Sequence, residues 1–227
     1  MWSRRKPATR PTARKTAFSL QNTARVSRPR NQTPPGKLGG VFPRLRTASK
    51  WGLMAPMLYN LMITQFTKML QNLSACLDKA ELFADAKKFD SQVLMGLRLA
   101  PDQFDLMRQV QIACDTAKGG VARVTGKEAP AHDDTEKSLA EAKARIDKVI
   151  AYLQTFSPED FADAKAREIT TPRWKGKTLT GAEYALQHAI PNLYFHVTTA
   201  YAILRHNGVD VGKKDYLGPM PFKPAPQ

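Results

Sequence analysis

The chain has 227 residues, 42% of them hydrophobic, and a formal net charge of +15. That length allows one or two domains, and no apolar run reaches the roughly 18 residues that a membrane-spanning helix requires, so we expect a soluble protein that is not inserted in a membrane. The two cysteines lie outside any Cys-x-x-Cys motif, which favours a reduced, cytoplasmic compartment.

The positive charge is concentrated in residues 1–53, which we expect to form a disordered basic extension. Residues 1–50 contain 13 of the 35 Lys and Arg residues and none of the 20 Asp and Glu residues. The rest of the chain is therefore nearly neutral, which gives no reason to expect nucleic-acid binding by the folded part.

The extension could be a transit peptide that directs the protein to an organelle, or a basic arm that binds nucleic acid or lipid. We favour a third interpretation, in which the functional chain begins at Met54 or Met57.

Apolar residues spaced three and four apart predict four long helices within residues 54–218. Their predicted spans are 56–77, 101–126, 135–153 and 181–206. Proline at the first turn predicts the start of the second helix, Asp134 or Thr135 caps the third, and a Thr180–Glu183 capping box opens the fourth. Pro191 should disturb the fourth helix near its start. The charged face of the third helix, which includes Arg145, is expected to be solvated.

The segment between the third and fourth helices breaks the helical pattern. A one-turn helix is expected at residues 157–160, and the β-branched residues around Lys175-Gly176 predict a small β-hairpin. His132, in the loop before the third helix, is expected to be solvated, and the Pro-rich tail of residues 219–227 to be disordered. The sequence therefore predicts an all-α fold, a four-helix bundle with a small β-hairpin in the crossover before the last helix.

Two stretches carry a family resemblance: LRLAPDQFDLMRQVQIACDTAKGG and PNLYFHVTTAYAILRHNGVDVGKKDYLG. They resemble a bacterial and fungal family of unknown function within the DinB/YfiT-like four-helix superfamily, whose members are regarded as metalloenzymes. The resemblance covers about residues 56–218. It implies an up-down-down-up bundle, often a homodimer, with a central pocket in which one histidine of the second helix and a His-x-x-x-His pair of the fourth hold a divalent ion.

This chain departs from that ligand pattern. Gln111 stands at the position of the second-helix histidine, and Asn192 and His196 stand at those of the fourth-helix pair. A carboxamide is a weak ligand for Zn or Ni, so we expect no tightly bound metal. An alternative set would combine His196 with His188 and Asp115, provided that Pro191 turns His188 inward.

The candidate site is a polar pocket between the second and fourth helices. Its predicted residues are Gln111, Asp115, His188, Asn192 and His196. The preferred hypothesis is a metal-free module that binds a small polar ligand or a partner; a competing interpretation makes His196 a core histidine bonded to Gln111 or Asn192. The alternatives are a metal-dependent thiol transferase or hydrolase of the DinB/YfiT kind, and a nucleic-acid or lipid binder that acts through the basic arm.

Overall fold

The first bundle helix contains a π-helical interruption. It consists of α1 (Met54–Tyr59), a π segment (Asn60–Thr64) and α2 (Gln65–Lys87), in a computed structural model that describes residues 54–225. The helix runs ten residues beyond the predicted end because small residues continue its buried stripe, and it stops where Lys88 adopts a left-handed conformation (φ 59°). The extension predicted for residues 1–53 and the last two residues of the tail lie outside the described part.

The second bundle helix starts five residues later than the sequence predicted. After the short α3 (Gln92–Met95), α4 spans Leu106–Thr125. Asp105 has an extended backbone and its Oδ1 accepts a hydrogen bond from the Arg108 N–H at 2.9 Å, so this side chain caps the helix. Pro101 lies in a turn before the cap, and the prediction that the helix begins there was wrong.

The third bundle helix, α5, spans Leu139–Leu153. Its N-cap is Ser138, whose Oγ accepts from the Glu141 N–H at 3.1 Å, rather than the predicted Asp134 or Thr135. Asp134 cannot serve as the cap because its carboxylate is occupied by Arg108 and Arg145.

The crossover contains the predicted hairpin. A 3-10 turn (Pro158–Phe161) comes first, and β1 (Glu168–Ile169) then pairs antiparallel with β2 (Leu179–Thr180). A second 3-10 turn (Pro172–Trp174) lies between the two strands. Ile169 is buried, so the hairpin packs against the bundle.

The fourth bundle helix consists of α6 (Gly181–Tyr184), a π segment (Ala185–Ala189) and α7 (Ile190–His206). The Thr180–Glu183 capping box is present, as predicted. The N–H of Ile190 bonds to the carbonyl of Ala185, five residues earlier, so the wider π turn is completed just before the proline, which has no N–H to donate. A last short helix, α8 (Lys213–Leu217), precedes a tail without regular secondary structure.

The four bundle helices enclose one apolar core. The first helix packs beside α5 and α7, and α4 lies between the same two helices. Gln109 and Thr116 of α4 bond to His196 and Asn192 of α7, in reverse order along the chain, so these two helices are antiparallel. Asp115 of α4 and Glu128 just after it bond to Arg145 and Tyr152 of α5, in the same order, so α4 and α5 are parallel. Gly120 permits a close approach to the π segment, because an added Cβ would lie 3.2 Å from the Cβ of Ala189. Within residues 54–225, no helix has both the length and the apolar character needed to cross a membrane.

Candidate functional site

His196 is paired with a glutamine that the sequence analysis did not single out. The imidazole is 7% exposed and its Nδ1 lies 2.7 Å from Oε1 of Gln109, which is itself 1% exposed. Gln109 uses its Nε2 to donate to the carbonyl of Phe104 at 3.0 Å. Both ends of the Gln109 amide are therefore hydrogen-bonded, and this α4 side chain fixes the orientation of the His196 ring on α7.

This arrangement determines the tautomer of His196. A backbone carbonyl can only accept, so the amide nitrogen of Gln109 must face Phe104 and the amide oxygen must face the imidazole. Nδ1 of His196 therefore carries the proton, and Nε2 presents a lone pair. Burial, followed by the charge of Arg108, lowers the pKa of His196, so the ring is neutral at pH 7. No residue in the described range hydrogen-bonds to Nε2.

Asn192 and Gln111, the two other positions of the family's ligand pattern, have partners of their own. Asn192 donates from Nδ2 to Oγ1 of Thr116 at 2.7 Å. Gln111 is buried and uses both ends of its amide: Nε2 donates to Glu136 at 2.9 Å, and Oε1 accepts from Arg108 at 3.0 Å. Gln111 therefore directs its amide at Glu136 in the loop before α5 and at Arg108 of its own helix.

Asp115 belongs to an ion-pair network centred on the buried Arg145. Its Oδ1 lies 2.8 Å from Nη2 of Arg145 and 3.1 Å from Nζ of Lys118. The same guanidinium contacts Asp134 at 2.9 Å and Glu136 at 2.9 Å. Burial alone would lower the pKa of Arg145, but Glu136 and Asp115 raise it. The hydrogen bonds that Glu136 accepts from Arg145 and Gln111 outweigh the burial of Glu136 and lower its pKa.

His188 lies in an aromatic cluster near the hairpin. Its ring stacks on Tyr184 with the centroids 5.2 Å apart, and the ring of Trp174 meets it edge-on with the centroids 5.7 Å apart. Partial burial and the nearby Arg123 lower the pKa of His188. The distortion before Pro191 does not turn this imidazole toward His196 or Asp115, since its neighbours are aromatic rings.

The five predicted residues are thus divided among four separate environments. Asn192 and His196 face α4 with different partners, Gln111 and Asp115 face α5, and His188 faces the hairpin. Among residues 54–225, no three His, Cys, Asp or Glu side chains are grouped as metal ligands. The donor set also does not fit the divalent ion of the superfamily, because both amide ends of Gln111 are engaged and the carboxamide oxygen of Asn192 is a weak ligand for such an ion.

A pocket of about 370 Å³ lies on the other side of the Arg145 network, between α5 and the loop that precedes it. Its walls are formed by residues 131–133, 135 and 136 of the loop and by four residues of α5: Glu141, Ala144, Arg145 and Lys148. Nδ1 of His132 and Nε of Arg145 are both buried, and neither has a hydrogen-bond partner within residues 54–225. Burial, with the charges of Lys118 and Arg145, lowers the pKa of His132 and keeps its ring neutral at pH 7.

The sequence predicted that two residues of this pocket are solvated, which was wrong for Arg145 and holds only in part for His132. Arg145 is 3% exposed, and the ring of His132 is half-buried with one nitrogen fully covered. A signal for Arg145 was available: it lies three residues after Ala142 and four before Val149, inside the apolar stripe of α5. No comparable signal marks His132, because its burial depends on how the loop folds back onto α5.

The two cysteines offer no reactive thiol. Cys76 is 2% exposed and Cys114 is fully buried. Burial raises their pKa values to about 11 and about 12, so neither thiolate is populated at pH 7.

Comparison with known proteins identifies the family. Residues 58–217 match the family described as Domain of unknown function (DUF1993). A crystal structure of a DinB family member protein from Shewanella denitrificans is similar, with 62% sequence identity over 76% of this chain and 98% of that chain, and a TM-score of 0.75. No curated protein matches the chain. The chain therefore belongs to the DUF1993 family, a family of unknown function within the DinB-like superfamily.

Proposed function

We propose that this protein binds a small polar molecule in the pocket between α5 and the loop of residues 131–136, and that binding requires no metal ion. The proposal is carried by two buried nitrogens beside this pocket, Nε of Arg145 and Nδ1 of His132, which have no hydrogen-bond partner in the described part of the chain. Native proteins leave few buried polar atoms unpaired, and each one costs about 1–3 kcal/mol.

The chemistry of the two nitrogens limits the ligand. Nε of Arg145 can only donate, so its partner must be an acceptor such as a carbonyl, carboxylate or hydroxyl oxygen. Neutral His132 can donate or accept at Nδ1, depending on its tautomer. Both atoms are covered by protein, so a small outward shift of the loop must accompany entry of the ligand. The unpaired donor favours that shift, because the arriving oxygen removes its penalty.

The test is a ligand screen read out at the four histidines of the full chain. Imidazole resonances are recorded by two-dimensional NMR in the presence of a chelator, while small carboxylic acids, amides and alcohols are added one at a time. The His132 resonance, assigned with His132→Gln, should shift saturably with at least one compound. The resonances of His188 and His206, which do not line the pocket, serve as internal controls.

Two outcomes would contradict the proposal. One is a screen in which no compound moves the His132 resonance. The other is a shift that appears only when the chelator is left out, since binding would then depend on a metal ion.

A further inference from the structure

The pocket carries charges that its own residues do not neutralise. Arg145 and Glu136 pair with each other at 2.9 Å. Lys148 has no ion pair within residues 54–225, and neither has the carboxylate of Asp133. Glu141 uses one oxygen to accept from the N–H of Lys137 at 2.5 Å and keeps the other available. Two carboxylates and one ammonium of this pocket thus have no ion pair among the described residues, and the excess of carboxylates disfavours a simple anion as the ligand.

The spacing along α5 orders these groups. Glu141, Arg145 and Lys148 all line the pocket, so they share one face of the helix. At about 1.5 Å per residue, Glu141 and Lys148 are roughly 10 Å apart along the axis, too far to pair with each other. Arg145 lies between them, and its unpartnered Nε is therefore the middle of three polar positions: an acceptor, a donor and a cation.

A ligand that pairs with all three of these groups has a cation at the Glu141 end, a hydrogen-bond acceptor in the middle and an anion at the Lys148 end. Of the roughly 10 Å between Glu141 and Lys148, one ion-pair distance is taken up at each end, so about 4–6 Å remains between the two charges of the ligand. An α-amino acid carries both charges on one carbon, which is too close. One additional residue lengthens the molecule by about 3.8 Å and places a peptide carbonyl between the charges.

We propose that the pocket binds a free dipeptide, with its ammonium at Glu141, its peptide carbonyl at Nε of Arg145 and its carboxylate at Lys148. This rests on the proposed function and specifies the class of its ligand. His132 lines the same pocket, and its unpartnered Nδ1 is a second group for the carbonyl or carboxylate oxygens.

The test is a calorimetric titration of the full chain with glycylglycine at low ionic strength, alongside glycine and 5-aminopentanoate. Glycylglycine should bind at least about tenfold more tightly than either, because glycine lacks the charge separation and 5-aminopentanoate lacks the carbonyl. Glu141→Gln and Lys148→Gln should each weaken glycylglycine binding by about tenfold, because each removes a charge but keeps a side chain of similar length that can still form hydrogen bonds. Asp147→Asn and Lys87→Gln, which remove exposed charges outside the pocket, should leave it unchanged.

Failure of this inference can be separated from failure of the proposed function. If glycylglycine does not bind, or binds equally well to Lys148→Gln, the dipeptide class is overturned. If other compounds nonetheless shift the His132 resonance, the pocket is a binding site for a different class. If no compound shifts that resonance, both proposals fall together.

Discussion

Replacing Arg145 by methionine should destabilise the fold strongly. The substitution keeps an unbranched, apolar stem in the core and removes the guanidinium from Glu136, Asp115 and Asp134. The side chain of Glu136 is only 11% exposed, whereas those of Asp115 and Asp134 are 40% and 38% exposed. The loss therefore comes mainly from Glu136, which is left as an uncompensated charge in a shielded position.

The size of the destabilisation follows from the unequal exposure of the three carboxylates. Removing one partner of a buried ion pair costs about 3–5 kcal/mol, whereas exposed pairs contribute roughly 0–1 kcal/mol each. We expect a loss of about 4 kcal/mol in the free energy of unfolding. With a urea m-value of about 2 kcal/mol/M, the midpoint should fall by about 2 M in a titration followed by far-UV circular dichroism.

The matched control is Lys143→Met on the same helix. Lys143 pairs with Asp78, whose side chain is 51% exposed, so its removal should cost at most about 1 kcal/mol. Adding Glu136→Gln to Arg145→Met should restore part of the loss, because it removes the stranded charge. Since the pKa of Glu136 is lowered in the folded state, the stabilising effect of Arg145 is present above the ordinary pKa of 4.5 and is lost as pH falls through the lowered value. If the urea midpoint of Arg145→Met shifts no more than that of Lys143→Met, the argument that Arg145 compensates a shielded charge on Glu136 is refuted.

Three further predictions concern buried polar groups. Gln109→Leu leaves His196 and a backbone carbonyl unpaired and should cost about 1–3 kcal/mol, measured by urea unfolding; an unchanged midpoint would show that the bond contributes nothing. The pKa values of His132 and His196 are lowered from 6.5, so the folded state favours the neutral rings, and stability should fall as pH drops below 6.5 toward the lowered values. Unfolding titrations at successive pH values test this, and His196→Gln should reduce the slope. Cys76 and Cys114 should not react with a thiol reagent at pH 8 until urea is added, and rapid labelling of the folded protein would contradict their burial.

The features that the sequence predicted well are those encoded by neighbouring residues. The Thr180–Glu183 capping box lies within one helical turn, and the hairpin follows from the turn chemistry around Lys175-Gly176. The disturbance at Pro191 was also predictable, because a missing N–H affects the carbonyls four and five residues earlier. The family resemblance then supplied the order and direction of the helices, which local patterns do not contain.

The features that the sequence analysis missed depend on contacts between distant residues. Asp134 is a favourable capping residue, but two arginines from α4 and α5 occupy its carboxylate, so α5 begins at Leu139 instead. The same competition explains Arg145: a charged residue in a charged segment suggests solvent, yet three carboxylates from α4 and the loop stabilise it in the core. Only the tertiary arrangement decides which of two reasonable partners an acidic residue takes.

The position of Gln111 shows how helix phase determines where a ligand can bind. Gln109 and Gln111 are two residues apart, which on an α-helix is a rotation of about 200°, so they point to opposite sides of α4. Gln109 faces α7 and bonds to His196, whereas Gln111 faces α5 and bonds to Glu136. A site that uses Gln111 or Asp115 therefore opens toward α5 and the preceding loop, which is also where Nε of Arg145 and Nδ1 of His132 lack partners. The lone pair of His196 lies on the other side of the same helix, so a ligand bound at the α5 pocket cannot contact it.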